Sequence, residues 1–151
     1  MEQAYYFIII GALSFEFILS TLSSILNMKS ISKVVPQGFQ DYYDEEKYAK
    51  SQLYLQDKTK LGLFSSTFSV LLILSVIHFG LFGKLDEFVR SNSSNYITSG
   101  LLFFGILFLI NDVLNIPFSV YSTFVIEEKY GFNKTSLDTF ISDKFKGYGL
   151  T

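Results

Sequence analysis

The sequence predicts an all-α integral membrane bundle: three transmembrane helices, a helical extension on their cytoplasmic side and a short C-terminal helix. Three observations predict it. Hydrophobic residues make up 49% of the 151 positions and fall into three long blocks instead of spreading evenly. Each block reaches the ~20 helical residues that cross a hydrocarbon core of ~30 Å. Lysines collect in the segment between the first two blocks and in the tail after the third, leaving the other connections nearly bare.

Residues 4–26 form the first expected span, with Glu16 its one charge. It has no basic leader and no small-residue cleavage site, so it reads as a retained span and not as a signal peptide. Residues 27–36 read as irregular and end at Pro36. A helix is expected over 38–60, with Phe39, Tyr42, Tyr43, Ala49 and Leu53 roughly on one face and Glu46 placed to pair with Lys50. Because neither Gly nor Pro separates Lys60 from Leu61, this helix is read as running directly into the second span, 61–82. An interfacial helix with its tyrosines at headgroup level is the alternative. The second span carries no ionisable residue except His78. Residues 84–95 read as a short polar loop. The third span, 96–126, contains Pro117, which removes a helical N–H and clashes with the preceding turn, so a kink is expected there. Residues 135–147 read as a short helix capped by Thr135 or Ser136, with Asp138 near its positive end.

The lysine distribution sets an orientation. Lys29, Lys33, Lys47, Lys50, Lys58 and Lys60 lie in the long loop, and Lys129, Lys134, Lys144 and Lys146 in the tail, against Lys84 and Arg90 on the other side. The positive-inside rule places the long loop and the C-terminus in the cytoplasm and the N-terminus outside or in a lumen. A bacterial inner membrane and the endoplasmic reticulum fit this equally. The lipid bilayer is the first expected partner.

Composition excludes several chemistries. Net charge is −2, which gives no basic footprint for nucleic acid. The chain has no cysteine and one histidine, so thiolate sites and two-histidine zinc sites are absent. No phosphate loop, Ser/His/Asp set or H-E-x-x-H helix occurs, and no catalytic residue or metal ligand is assigned.

Polar groups inside the spans are the remaining candidates, since ionisable side chains in hydrocarbon are costly. Glu16 is an intramembrane acid, read either as an interhelical hydrogen-bonding group or as a functional one. Asn111, Asp112, Asn115 and Ser119 fall within one arc of the third span. That stripe either packs against neighbouring helices or lines a water-filled chamber. His78 reads as an interface residue near the outer end of the second span.

The stretch 117–135 (Pro-Phe-Ser-Val-Tyr-Ser-Thr-Phe-Val-Ile-Glu-Glu-Lys-Tyr-Gly-Phe-Asn-Lys-Thr) is the most specific motif. Glu127, Glu128 and Lys129 mark an exit into water, Gly131 can end the helix with a positive φ, and Phe132 can pack back on the bundle. This stretch, with the segment 47–66 (Lys-Tyr-Ala-Lys-Ser-Gln-Leu-Tyr-Leu-Gln-Asp-Lys-Thr-Lys-Leu-Gly-Leu-Phe-Ser-Ser) before it, resembles the type I CAAX prenyl endopeptidases, multispan membrane zinc metalloproteases. The resemblance runs along essentially the whole chain. It implies the N-terminal membrane domain of such an enzyme over residues 1–151, contributing chamber wall and anchor. In the family an H-E-x-x-H site holds zinc later in the chain, with the motif glutamate as general base on zinc-bound water. The resemblance therefore implies zinc in the parent family and none in this chain. It implies two further partners: the remainder of the metalloprotease, and a prenylated or membrane-protein peptide substrate. It also implies that this chain alone is inactive. Pro117, Tyr121, Thr123, Phe124, Glu127, Glu128, Gly131, Phe132 and Asn133 are the motif positions expected near the substrate path, unless they only terminate a helix. A stand-alone three-span scaffold or channel-like subunit using the polar stripe is the competing reading.

Overall fold

A computed structural model describes residues 2–93 and 95–150 of the chain. The expected single-domain extent 1–151 includes Met1, Ser94 and Thr151, which lie outside the described residues. The protein is all-helical: α1 (Glu2–Ser30), α2 (Glu45–His78), α3 (Leu81–Ser91), α4 (Tyr96–Tyr121), a π-helical segment (Ser122–Glu127) and α5 (Leu137–Leu150). Among the described residues, three helices are long and apolar enough to cross a membrane: Gln3–Ser30, Glu45–His78 and Tyr96–Glu127.

The burial pattern is that of a lipid-solvated bundle. Only Val35, Val89, Ile126, Tyr130 and Ser99 are buried among the described residues, while Phe7, Ile8, Phe15, Phe64, Leu101 and Phe104 are exposed. In water such a surface would be an unmanageable apolar patch, but in hydrocarbon it costs nothing. The chain is an integral membrane protein.

α2 has 34 residues. At 1.5 Å per residue it is about 51 Å long, roughly 20 Å more than a bilayer core. The continuity expected at Lys60–Leu61 is present, and the excess projects from the lysine-rich end. Its start differs from expectation. Residues 38–44 form turns, with Phe39 N–H donating to the Pro36 carbonyl (3.1 Å) and Tyr42 N–H to that of Phe39 (3.1 Å). The helix opens where the Asp44 carboxylate accepts from the Lys47 N–H at 2.9 Å. A side-chain acceptor with an extended backbone fixes a helix start more firmly than the apolar periodicity upstream. Phe39, Tyr43 and Tyr48 therefore meet as a ring cluster, with centroids 6.4 and 6.2 Å apart, and not along one helical face.

The far end of α2 also differs. The helix stops at His78, short of the expected Phe82, because Gly80 takes a left-handed φ of 63° that an L side chain rarely adopts. The residues expected as a polar loop form α3, whose Val89 is buried and whose Arg90 pairs with Asp86 at 2.8 Å. Tyr6 near the start of α1 and His78 at the end of α2 are 3.3 Å apart (Oη to Nδ1), so these helices run antiparallel. At the C-terminal end Ser136 caps α5, its hydroxyl oxygen accepting from the Thr139 N–H at 3.2 Å.

Candidate functional site

The site is built where the end of α4 meets the projecting part of α2. Pro117 sits inside α4, and five residues after it the helix changes to π-type bonding over Ser122–Glu127. Proline supplies no N–H, so its missing bond falls on the turn before it, and the π segment is a separate widening of the ladder further along. The consequence is positional. In an α-helix residues five apart point about 140° away from each other. The i→i+5 bonding of a π turn brings them towards one side. Ser122 and Glu127 thus converge on one cation, with Lys58 Nζ donating to Ser122 Oγ at 2.6 Å and to Glu127 Oε1 at 3.1 Å. Lys58 is itself half-buried beneath them.

Asp57, next to Lys58 on α2, organises a second set. Its Oδ2 accepts from Lys129 Nζ at 2.7 Å and from the Tyr130 hydroxyl at 2.8 Å, while Lys60 Nζ stands 3.8 Å from Oδ1. The Asp57 carboxylate holds the Lys129 ammonium above the ordinary lysine range. Burial, and then the bond to Asp57, push the Tyr130 hydroxyl above the usual tyrosine range.

Gly131 ends the helix as expected. Its φ is 70°, its N–H donates to the Glu128 carbonyl (2.9 Å), and the Phe132 N–H donates to that of Glu127 (2.8 Å). This paired arrangement closes a helix through a left-handed residue and throws the next side chain back on it. Phe132 accordingly stacks with Tyr130 and meets Tyr54 edge-on at 5.0 Å. Lys50, expected to pair with Glu46, instead lies over the Phe132 ring at 5.7 Å. Glu128 accepts from Asn133 Nδ2 at 3.0 Å, and Asn133 Oδ1 accepts from the Thr135 N–H at 2.7 Å, so the turn is bonded through to Thr135, just before α5.

Beside this junction, α2 and α4 diverge around a cavity of about 580 Å³. Leu61, Phe64, Phe118, Tyr121 and Val125 contribute apolar wall, and Asp57, Lys60 and Lys129 line it as well.

The polar stripe divides between two neighbours. Asn111 and Asn115 are joined (Asn115 Nδ2 to the Asn111 carbonyl, 2.7 Å) and border a second groove against α2, of about 410 Å³. Asp112 faces α5 instead, pairing with Lys144 at 2.5 Å and accepting from the Tyr148 hydroxyl. With Phe124 against Phe140 and Phe108 against Tyr148, α5 runs back antiparallel along α4. Ser119 and Thr123 are half-buried, Tyr121 lines the first cavity, and Glu16 is exposed on α1. The interhelical hydrogen bond expected of Glu16 is not made within the described residues.

Sequence inspection missed the partners: Tyr54, Asp57 and Lys58 on α2, and Lys144 and Tyr148 on α5. A signal was present for the first group, since all three lie in the segment 47–66 singled out above. Among the described residues no group of three or more His, Cys, Asp or Glu side chains could hold a metal ion. Glu127 and Asp57 are already bound to lysines, Glu128 is held by Asn133, and the one histidine lies beside Tyr6. The described residues do not fit zinc.

A family described as CAAX prenyl protease N-terminal, with five membrane helices, matches residues 24–151. The chain belongs to this family. It is 38% identical over 128 residues to the probable CAAX prenyl protease 1 of Schizosaccharomyces pombe, covering 76% of this chain and 27% of that protein. It is 34% identical over 128 residues to the human CAAX prenyl protease 1 homolog, covering 78% and 26%. The crystal structure of S. mikatae Ste24p superposes with a TM-score of 0.84 at 29% identity, over 96% of this chain and 36% of that one. The chain thus spans roughly a quarter to a third of the length of these CAAX prenyl protease relatives.

Proposed function

We propose that this chain is membrane wall and anchor of a zinc-dependent CAAX prenyl protease-like endopeptidase, with zinc and catalytic residues supplied by sequence outside it. The observation that carries the reading is the docking of the 117–135 motif on α2. The π segment, Lys58, Asp57 and the Gly131 turn together fix a rigid corner where α4 leaves the bilayer, and the family membership gives that corner a protease to support. In this reading the lysine-rich end faces the cytoplasm, the Asn111–Asn115 edge of the stripe faces the enzyme's chamber, and the corner forms part of the approach for a prenylated or membrane-protein peptide. Glu127 and Glu128 serve the corner and not the chemistry, since one is held by Lys58 and the other by Asn133. The engagement of Asp112 by Lys144 and Tyr148 weighs against a channel-like use of the stripe.

The test has two arms. The purified chain, reconstituted with a farnesylated peptide, should show no chelator-sensitive cleavage; robust zinc-dependent cleavage would overturn the proposal. A chimaera carrying residues 1–151 in place of the matching region of the S. pombe relative should insert and cleave. Correct insertion without cleavage would equally count against it.

A further inference from the structure

The cavity between α2 and the end of α4 has a build that the protease reading does not use. It lies at a composition boundary: Asp57 and Lys60 precede it on α2, while residues 61–77 contain no ionisable side chain. Its walls follow the same order, from Lys60 and Lys129 to Phe64 and Phe118. A ligand that fits must therefore be polar at one end and apolar at the other, with its axis along the bilayer normal.

The charge at the mouth selects the polar end. Asp57 draws two lysines to one place but neutralises only one of them, leaving a net positive charge. Lys60 stands 3.8 Å from Asp57, beyond hydrogen-bond distance, and Lys129 uses one of its three N–H donors on it. Both lysine side chains are more than half exposed, at 58% and 61%. Tyr121 lines the same cavity at the level tyrosines favour, between headgroups and chains. About 580 Å³ is within the range of built ligand sites.

We propose that this cleft seats one anionic phospholipid from the leaflet at the lysine-rich end. Its phosphate sits against Lys60 and Lys129, and one acyl chain lies over Phe64 and Phe118. A zwitterionic lipid fits less well, because its own cation would return positive charge to a mouth that is already positive. The lipid would brace the corner shaped by the π segment and Gly131, and the proposal stands whether or not the chain serves a protease.

Native mass spectrometry of the detergent-solubilised chain tests this, with dioleoyl phosphatidylglycerol, dioleoyl phosphatidylcholine and inorganic phosphate as probes. One phosphatidylglycerol should be retained in preference to phosphatidylcholine, and inorganic phosphate should not displace it. Each lysine near an anionic headgroup contributes about fivefold in binding, so K60Q/K129Q should weaken retention about 25-fold. The control K33Q/K47Q should leave it unchanged. V125W fills the cleft and spares both lysines, and it should abolish retention with helicity by circular dichroism intact. Equal retention of the two lipids, or retention unaffected by K60Q/K129Q or by V125W, would overturn the proposal. Displacement by phosphate would reduce the site to a surface anion contact, and no retained lipid would assign the cleft to another protein segment; either result overturns it too.

Discussion

Replacing Asp57 by alanine should destabilise the protein, and adding Tyr130→Phe should restore part of the loss. The reasoning rests on an asymmetry. Tyr130 is 5% exposed and its hydroxyl donates to Asp57 at 2.8 Å. In Asp57→Ala that hydroxyl keeps its burial and loses its acceptor, a penalty of about 1–3 kcal/mol. The ammonium of Lys129 returns to water when Asp57 is lost and adds little, as solvent-exposed pairs do. Tyr130→Phe alone removes donor and demand together and should cost only about 0.5–1.5 kcal/mol. The double variant has no stranded hydroxyl, so it should be more stable than Asp57→Ala by roughly 1 kcal/mol. Equilibrium unfolding in mixed micelles of detergent and dodecyl sulfate, followed by far-ultraviolet circular dichroism, measures all four proteins in one assay. The reasoning is refuted if the double variant is no more stable than Asp57→Ala, or if Tyr130→Phe costs more than Asp57→Ala.

Alkaline titration should loosen the same corner. The folded-state values of Lys129 and Tyr130 are both raised. Their contribution is therefore complete below the ordinary lysine and tyrosine values and is lost as pH climbs through the raised ones, above about pH 10. Asp57→Asn should flatten that alkaline loss in the same micelle assay. Gly131→Ala should cost about 1–2 kcal/mol, because the left-handed φ penalises any Cβ. Crowding adds nothing to that figure, since the nearest atom, Lys50 Nζ, would stand 3.8 Å away. A milder effect of Gly131→Asn in the same unfolding series would confirm a conformational origin. Lys144→Met should leave Asp112 without its cation midway along its span, held only by the Tyr148 hydroxyl, and accelerate hydrogen exchange through α5. Restored protection in Lys144→Met with Asp112→Leu is expected, and no restoration would mean that the pair does not hold α5.

How much of this was legible in the sequence varies with the range of the interaction. Gly131 ending the helix, Ser136 capping α5 and α2 passing unbroken through Lys60–Leu61 are events within a few residues, and their signals are local. Where local signals compete, periodicity alone does not rank them. The apolar spacing of Phe39, Tyr42 and Tyr43 suggests a helix, but the Asp44 cap starts it later. The absence of long apolar runs in 84–95 suggests a loop, yet α3 needs only its buried Val89 face to form. The polar stripe looks like one surface in the sequence, whereas a helical arc spanning Asn111 to Asp112 is wide enough to meet α2 on one edge and α5 on the other.

The sequence by itself determined the solvent, the class and the family. Hydropathy and lysine placement are additive properties of short windows, and the two motif segments are read in order along the chain. Only the tertiary structure decided what the motif does. Lys58 meets Ser122 and Glu127, and Asp57 meets Lys129 and Tyr130, across sequence separations of 64 to 73 residues. The pairing depends on a π turn whose register no local pattern announced. In a bilayer there is no hydrophobic drive between apolar faces, so close packing and these few polar contacts together set how the helices meet.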